Sequence, residues 1–296
     1  MKDTSEVTVI GEVLYDCFPD GKQIPGGAPF NVAWNLKALG YSPRFISAVG
    51  QDDLGDHLLN LANDWGIGIQ GIARMPVKST GVVEVTLEHG KPSFEIREDV
   101  VYDHLSPPKL ADDDKAGILY HGSLICRSKK SEETIIGLRQ KWKGPVFVDI
   151  NIRDPWFDLE RFSGFLQEVD FLKLNDDEYE RLSGNALDHG NAYHCLKALM
   201  EQYEIRHLIV TCGASGSYWC DGKDVYYESA SKSIQIADTV GAGDAFASVC
   251  LKGILEGWSA ETTLSNASTF AEKVCTISGA TSPDRQFYDS ARLGMI

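Results

Sequence analysis

Residues 238–246 read Asp-Thr-Val-Gly-Ala-Gly-Asp-Ala-Phe and form the most informative stretch of this 296-residue chain. They open a segment of helical period that predicts a helix over 241–255. A helix N-terminus has unpaired N–H groups and partial positive charge, and small side chains let an anion approach them. Asp244, in the first turn, can accept a proton from a hydroxyl while those N–H groups hold negative charge. Phosphoryl transfer to an alcohol needs both functions; a plain helix cap is the structural alternative.

Outward from this stretch, short β-rich runs alternate with amphipathic segments over most of the chain. The predicted strands are Val7–Val13, Arg44–Val49, Gly117–Tyr120, Val146–Ile150, Phe171–Leu174 and His207–Thr211. The predicted helices are Phe30–Leu39, Leu54–Trp65, Ser131–Trp142, Phe157–Leu166, Ala192–Tyr203 and, after the opening stretch, one or two within Ser259–Ser278. Alternation of this kind predicts an α/β fold with a mostly parallel central sheet flanked by helices.

One region contains strand signals without helices between them. Within Gln70–Val101, Gly81–Leu87 alternates β-branched residues with others, a turn follows, and Ser93–Ile96 starts another strand. Such an insertion could form a small second sheet that covers a site, or it could extend an edge of the main sheet. The residues themselves leave both interpretations open.

Composition excludes several classes of protein. There are 43 acidic and 28 basic residues, so the net charge of −15 disfavours binding to nucleic acid or anionic membranes. No apolar run reaches the roughly 18 residues of a membrane span, and the polar N-terminus does not resemble a secretory signal. The seven cysteines contain no C-x-x-C pair. We therefore expect a cytoplasmic protein with reduced thiols.

The segment Gly66–Gly71 matches the G-x-G-x-x-G pattern of dinucleotide-binding proteins letter for letter. The pattern requires a strand before the glycines and a helix after them, whereas here a helix precedes and a strand follows. Gly66 is more simply interpreted as the end of the preceding helix. A P-loop motif and an H-E-x-x-H zinc motif are both absent from the sequence.

The opening stretch resembles the C-terminal signature of the ribokinase-like, or PfkB, carbohydrate kinases. Three other segments resemble motifs of that family in the same order, so the resemblance extends from Val9 to about Pro283. They are Gly26–Ala33, similar to the glycine-pair motif, Asn175–Glu178, similar to the N-x-x-E motif, and Val210–Gly216, similar to the turn near the nucleotide. The glycine-pair segment, and Asp149–Arg153 followed by Trp156, look most similar to fructokinases.

The resemblance implies a single kinase domain over residues 1–296, with a small β-sheet lid built from about 14–24 and 72–102. It implies transfer of the γ-phosphate of ATP to a primary hydroxyl of a monosaccharide, with fructose as the best candidate. Ribose, 2-keto-3-deoxygluconate and a nucleoside are alternative acceptors, and a non-catalytic sugar-binding protein is another alternative. A nucleoside would need an aromatic surface, for which the candidates are Phe30, Phe94 and Tyr102.

The resemblance also assigns site residues. Asp244 matches the catalytic base, and the anion hole matches Gly241, Ala242 and Gly243. Sugar-binding positions match Asp16, Gly27 and Asn31, with Arg97 and Arg153 as further candidates for the sugar, a carboxylate or phosphates. Nucleotide-binding positions match Asn175, Glu178, Thr211, Gly213, Gly216 and Asn266.

The implied cofactors are ATP and Mg²⁺, with Glu178 acting on Mg²⁺ through water. Many members of the family also bind a K⁺-type cation, for which Asp238 and the carbonyl of Val240 are the candidate ligands beside Gly279–Ser282. Lid strands with exposed apolar residues would suit a homodimer formed through the lid, or they would pack over the sugar. The residues concerned are Val82, Val83 and Val85.

Overall fold

The computed structural model describes residues 6–88, 91–110, 116–231 and 235–289, apart from the side chains of residues 87, 88, 91–94 and 161. Within these residues, thirteen strands form two sheets. They are β1 (Val7–Ile10), β2 (Leu14–Cys17), β3 (Gln23–Gly26), β4 (Arg44–Gly50), β5 (Ile72–Met75), β6 (Gly81–Glu88), β7 (Lys91–Ile96), β8 (Ile118–Gly122), β9 (Val146–Asp149), β10 (Phe171–Asn175), β11 (His207–Thr211), β12 (Ser217–Cys220) and β13 (Val225–Glu228).

The main sheet has nine strands in the order β13-β12-β11-β10-β9-β8-β1-β4-β5. Every pair from β11 to β5 is parallel, and β12 and β13 add an antiparallel hairpin at one edge. Central strands such as β1 and β9 are buried along their whole length, as expected of a sheet covered on both faces. The predicted α/β fold with a mostly parallel central sheet is confirmed.

In the part of the chain that the structure describes, eight α-helices cover this sheet. They are α1 (Ala28–Ala38), α2 (Asp53–Trp65), α3 (Lys129–Arg139), α4 (Leu159–Leu166), α5 (Asp176–Ser183), α6 (Ala192–Tyr203), α7 (Ala242–Glu256) and α8 (Ala260–Val274). One hydrophobic cluster joins α1, α2, α7 and α8 to one face, and a second joins α3 to α6 to the other. Successive residues of β8 alternate between the two clusters: Leu119 belongs to one and Tyr120 to the other.

Gly66 ends α2 in a left-handed conformation, with φ of 89°. Its amide donates to the Asn63 carbonyl, and the Ile67 amide donates to the Ala62 carbonyl. This is a glycine helix cap. The interpretation of Gly66–Gly71 as a helix end, and not as a dinucleotide motif, is confirmed. No helix in the described part of the chain is long and apolar enough to cross a membrane.

The insertion forms part of a separate four-stranded sheet in the order β3-β2-β6-β7. Its strands pair antiparallel except for β2 and β6, which are parallel. The assignment of Ile72–Met75 to this lid was wrong, because β5 pairs with β4 in the main sheet. Gly71 permits that course: a Cβ there would lie 2.2 Å from the Phe45 carbonyl oxygen, so only glycine brings the chain this close to β4.

The first predicted strand, Val7–Val13, is also shorter in the structure. It ends at Ile10, and the chain passes through Gly11 into β2 of the small sheet. The Gly11 amide donates to the Ile46 carbonyl at 3.1 Å, and its own carbonyl accepts from the Ser47 hydroxyl at 2.7 Å. The chain therefore crosses between the sheets at this point, which places the start of the small sheet beside the end of β1.

The three valines of β6 do not form an exposed apolar surface. Val82, Val83 and Val85 are 6%, 5% and 3% exposed in the single chain. Val83 packs in the same cluster as Ile96 and Val101. The expectation that these valines are exposed was wrong: successive residues of a strand point to opposite faces, and all three side chains are covered by the chain itself.

Candidate active site

The N-terminus of α7 forms the centre of the site. Gly241 precedes the helix with φ of 78°, and a Cβ on it would lie 2.4 Å from the Cα of Ala280. The first α-helical bond runs from the Ala245 amide to the Gly241 carbonyl, at 2.9 Å. The Gly243 amide comes before the first α-helical hydrogen bond, so it makes no bond within the helix. The Ala242 amide donates to the Thr239 carbonyl at 3.3 Å. The small residues at 241–243 thus leave backbone donors at an open helix end.

Asp244, in the first turn of α7, accepts a hydrogen bond from Asn31 near the start of α1. The Asn31 Nδ2 to Asp244 Oδ2 distance is 2.8 Å. Burial raises the pKa of Asp244 to about 6, and the hydrogen bond from Asn31 opposes that rise. Asn31, which the resemblance assigns to the sugar, therefore contacts the candidate base itself. The Asn31 Oδ1 atom is buried and has no hydrogen-bond partner within the described residues.

The glycine pair brings the start of α1 against the turn that leads into the small sheet. Gly27 has φ of 106°, and a Cβ there would lie 2.7 Å from the Glu12 carbonyl oxygen. A Cβ on Gly26 would lie 3.0 Å from the Asp16 Oδ2. Asp16, on β2, is half-buried, and burial raises its pKa to about 6. Asp16 and Asn31 are thus carried by two segments that only glycine allows to pack this closely.

The two candidate arginines differ in their surroundings. Arg153 is exposed, and its positive charge lowers the pKa values of both Asp16 and Asp244 against the effect of burial. Arg97 forms an ion pair with Glu84 on the small sheet, at 2.6 Å, with about half of each side chain exposed. The charge of Arg153 therefore acts on the carboxylates of the site, and the assignments of both arginines stay predictions.

Two of the three aromatic residues named for a nucleoside acceptor are not accessible to a ligand. Phe30 is 2% exposed and Tyr102 is fully buried, and both pack in the hydrophobic core. The side chain of Phe94 lies outside the described residues.

The N-x-x-E residues lie at the end of β10 and the start of α5. Asn175 Oδ1 accepts from the Glu178 amide at 2.8 Å, and the Asn175 amide donates to Glu178 Oε2 at 2.8 Å. The other Glu178 oxygen accepts from the Ile152 amide at 2.9 Å. This is a capping box, so the motif builds the helix start and also places a carboxylate at the strand ends. Thr211 pairs with Asn175 in the β10–β11 register.

The two glycines of the turn after β11 differ in the space around them. A Cβ on Gly213 would meet no atom within 4 Å, whereas a Cβ on Gly216 would lie 2.1 Å from the Glu228 carbonyl oxygen. Gly213 is thus open to a ligand and Gly216 shapes the turn. Asn266, on α8, is buried, and its Nδ2 atom has no partner among the described residues.

Asp238 joins the two loops proposed to hold a monovalent cation. Its Oδ1 accepts from the Val240 amide at 3.1 Å, and its Oδ2 accepts from the Gly279 amide at 3.0 Å. The carboxylate therefore keeps these loops together while its remaining lone pairs stay available. The described residues contain no cluster of three or more His, Cys, Asp or Glu side chains able to hold a metal ion.

Sequence reasoning missed the buried charges behind the site. Lys173 on β10 and Asp149 on β9 form an ion pair of 2.7 Å, and the Tyr120 hydroxyl donates to Asp149 at 3.1 Å. Glu12 is 2% exposed, and burial raises its pKa to about 7, with the Asp244 charge contributing. Charged residues inside strands that are otherwise apolar are a signal that could have identified Lys173 and Asp149.

Comparison with known proteins gives matches along nearly the whole chain. Residues 5–286 match the model of the pfkB family carbohydrate kinases. An Escherichia coli fructokinase is 29% identical over 85% of each chain. The crystal structure of an uncharacterized sugar kinase from Pyrococcus horikoshii superposes with a TM-score of 0.82 at 25% identity, covering 97% of this chain and 98% of that one. The structure of a Vibrio cholerae fructokinase, solved with fructose, ADP and calcium ion bound, superposes with a TM-score of 0.79 at 23% identity. The match covers 96% of this chain and 98% of that one.

A parallel α/β sheet with an open helix N-terminus and an adjacent half-buried carboxylate is suited to transferring an anionic group. The chain belongs to the pfkB family of carbohydrate kinases. It is accordingly a carbohydrate kinase, and the resemblance drawn from its four motifs is confirmed.

Proposed function

We propose that this protein transfers the γ-phosphate of ATP to a primary hydroxyl of a monosaccharide, with fructose as the acceptor. The arrangement at α7 carries the proposal: Asp244 is a half-buried carboxylate beside backbone donors and is held by Asn31 at 2.8 Å. Fructokinases among the relatives, including the one from Escherichia coli at 29% identity, support fructose as the sugar. A cytoplasmic location suits a reaction that consumes ATP.

In the proposed reaction Asp244 takes the proton of the acceptor hydroxyl. The hydroxyl oxygen forms a bond to the γ-phosphorus while the bond from that phosphorus to the β–γ bridging oxygen breaks, and its electron pair leaves with ADP. The open N-terminus of α7 at residues 241–243 holds the charge on the transferred group. Asp16 and Arg153 orient the sugar, and the turn at Gly213 holds the nucleotide.

The donor set suits Mg²⁺ held mainly by phosphate and water. The two Glu178 oxygens each accept one backbone hydrogen bond, so lone pairs remain for water ligands of the ion. When bound, Mg²⁺ neutralises phosphate charge. Glu178 and Asn175 orient its water ligands, and the small sheet that carries Asp16 covers the sugar as a lid.

The acceptor is tested by coupled measurement of ADP release with MgATP. The panel contains fructose, ribose, 2-keto-3-deoxygluconate, adenosine and several hexoses, in potassium buffer. We expect selective turnover of fructose. Selective turnover of another compound would replace fructose as the acceptor, and sugar binding by calorimetry without turnover of any compound would favour the sugar-binding alternative.

The pH dependence of the reaction follows from the raised pKa of Asp244. The base must be ionised, so kcat/KM is expected to fall as the pH drops through about 6. Asn31 donates to the carboxylate and thereby lowers its pKa. In Asn31→Ala that bond is lost, so the acidic limb of the kcat/KM profile should move to higher pH. An unchanged limb in this variant would contradict the assignment of Asp244 as the titrating base.

The cation proposal is tested by exchanging the monovalent ion. Asp238 and the Val240 carbonyl would hold K⁺ between the loops that Asp238 connects. We expect turnover in potassium to exceed turnover in sodium or choline at constant ionic strength, because the ion adds positive charge beside the anion hole. Equal rates in the three salts would remove the cation from the scheme.

A further inference from the structure

We infer that the Lys173 ammonium group is a fixed positive charge beneath the anion hole that binds the transferred phosphoryl group, with Asp149 holding it in place. The inference rests on the proposed function of α7 as the phosphoryl-binding element. It adds a residue that none of the four sequence motifs singled out, and it gives a role to a buried ion pair that the reaction described above does not use.

The pair joins two neighbouring parallel strands: Asp149 is the last residue of β9, and Lys173 is the middle residue of β10. Lys173 and Asp149 are register partners on β10 and β9. Their side chains are each 6% exposed, and the Nζ to Oδ1 distance is 2.7 Å. The Tyr120 hydroxyl donates to the second Asp149 oxygen. Burial of two charges costs free energy that their attraction often fails to recover, so a buried pair is a weak stabilising device. A role beyond stability is therefore worth seeking.

The positive end of the pair points to the start of α7. A Cβ built on Gly243 would lie 3.4 Å from the Lys173 Nζ. An ammonium group has three donors, and Asp149 accepts one of them. Lys173 also interacts electrostatically with Glu178 and Asp244, which are the carboxylates proposed for the Mg²⁺ waters and for the base. The ammonium group thus acts on both Glu178 and Asp244 and lies next to the backbone of Gly243.

The chemistry requires such a charge. The transferred phosphoryl group carries negative charge on three oxygens, and catalysis of its transfer depends on fixed positive groups. The chain is acidic overall and has no P-loop lysine. The Asp149–Lys173 pair is neutral as a whole, so it can remain buried between turnovers while presenting its positive end to the anion.

The test compares two ligands in a variant without the pair. In Asp149→Asn/Lys173→Met neither charge remains, so neither is left unpaired. We expect its affinity for Mg²⁺ with a non-hydrolysable ATP analogue to fall at least roughly tenfold relative to its affinity for MgADP, because only the analogue has a γ-phosphoryl group. With the best acceptor, kcat should fall by about 100-fold, a loss typical of removing one electrostatic donor. The ligand comparison needs no acceptor, so a wrong acceptor assignment would not affect it.

Lys252 offers a matched control. It is a buried lysine on α7 that pairs with Glu256 at 2.6 Å, with its side chain 7% exposed. Lys252→Met should lower the melting temperature without changing the ratio of the two affinities. If the double variant keeps the ratio of the two affinities and its kcat, the Asp149–Lys173 pair has only a structural role. If the double variant does not fold, Asp149→Asn/Lys173→Gln also leaves neither charge unpaired and gives the same comparison, with the same two outcomes deciding it.

Discussion

Asp244→Asn is expected to lose between roughly 100-fold and 10,000-fold in kcat, the usual contribution of a general base. The amide keeps the shape of the carboxylate and can still accept from Asn31 Nδ2, but it cannot take the hydroxyl proton. The measurement is steady-state turnover of the best acceptor, together with calorimetric binding of the sugar. Binding should persist, because the substitution leaves Asp16 and the glycine pair in place.

The same variant should be no less stable than the wild type at neutral pH. The folded-state pKa of Asp244 lies above the ordinary value because of burial, so the ionised carboxylate disfavours the folded state once the pH exceeds about 6. An uncharged amide removes that penalty. A lower kcat with an equal or higher melting temperature would show that Asp244 acts in the reaction and does not stabilise the fold.

Asp53 provides the control for this substitution. It also occupies the first turn of a helix, α2, but it is exposed and lies outside the site. Asp53→Asn should leave kcat unchanged. If Asp244→Asn behaves in the same way and keeps its full rate, Asp244 only stabilises the helix start and the base has been misassigned.

Gly241→Ala is expected to reduce both stability and activity. The residue has φ of 78°, and its Cβ would lie 2.4 Å from Cα and Cβ of Ala280. The left-handed conformation costs roughly 1–2 kcal/mol for a residue with a Cβ, and displacement of well-packed atoms typically adds about 1–3 kcal/mol. We expect the free energy of unfolding to fall by about 2–5 kcal/mol, measured by denaturant titration. The kcat should fall as well, because the start of α7 must move away from the loop at Ala280.

The other end of α7 supplies a control for the steric part. Gly257 is also left-handed, with φ of 68°, but a Cβ there meets no atom within 4 Å. Gly257→Ala should therefore lose only about 1–2 kcal/mol and keep its kcat. If the two variants lose equal amounts of stability and kcat, the contact with Ala280 does not constrain the position of the proposed anion hole.

Features set by neighbouring residues were predictable from the sequence. Gly66 ends α2 because a left-handed residue is needed there, and Gly-Ala-Gly at 241–243 opens α7 because small residues suit a helix start that approaches an anion. Alternation of apolar strands and amphipathic helices indicated the parallel sheet. Asn175–Glu178 was predicted as a site motif from the resemblance, and in the structure it also forms the capping box that starts α5.

Tertiary contacts decided the rest, because they join residues far apart in the chain. Ile72–Met75 resembles any exposed β-segment, and only its pairing with β4 assigns it to the main sheet. The burial of Val83 depends on what covers β6, and Asn31 contacts Asp244 only because α1 and α7 meet. Lys173 and Asp149 lie on separate strands whose register makes them a pair. Local sequence therefore determined the elements and the chemistry of the proposed anion hole, whereas packing between distant segments determined which charges surround it.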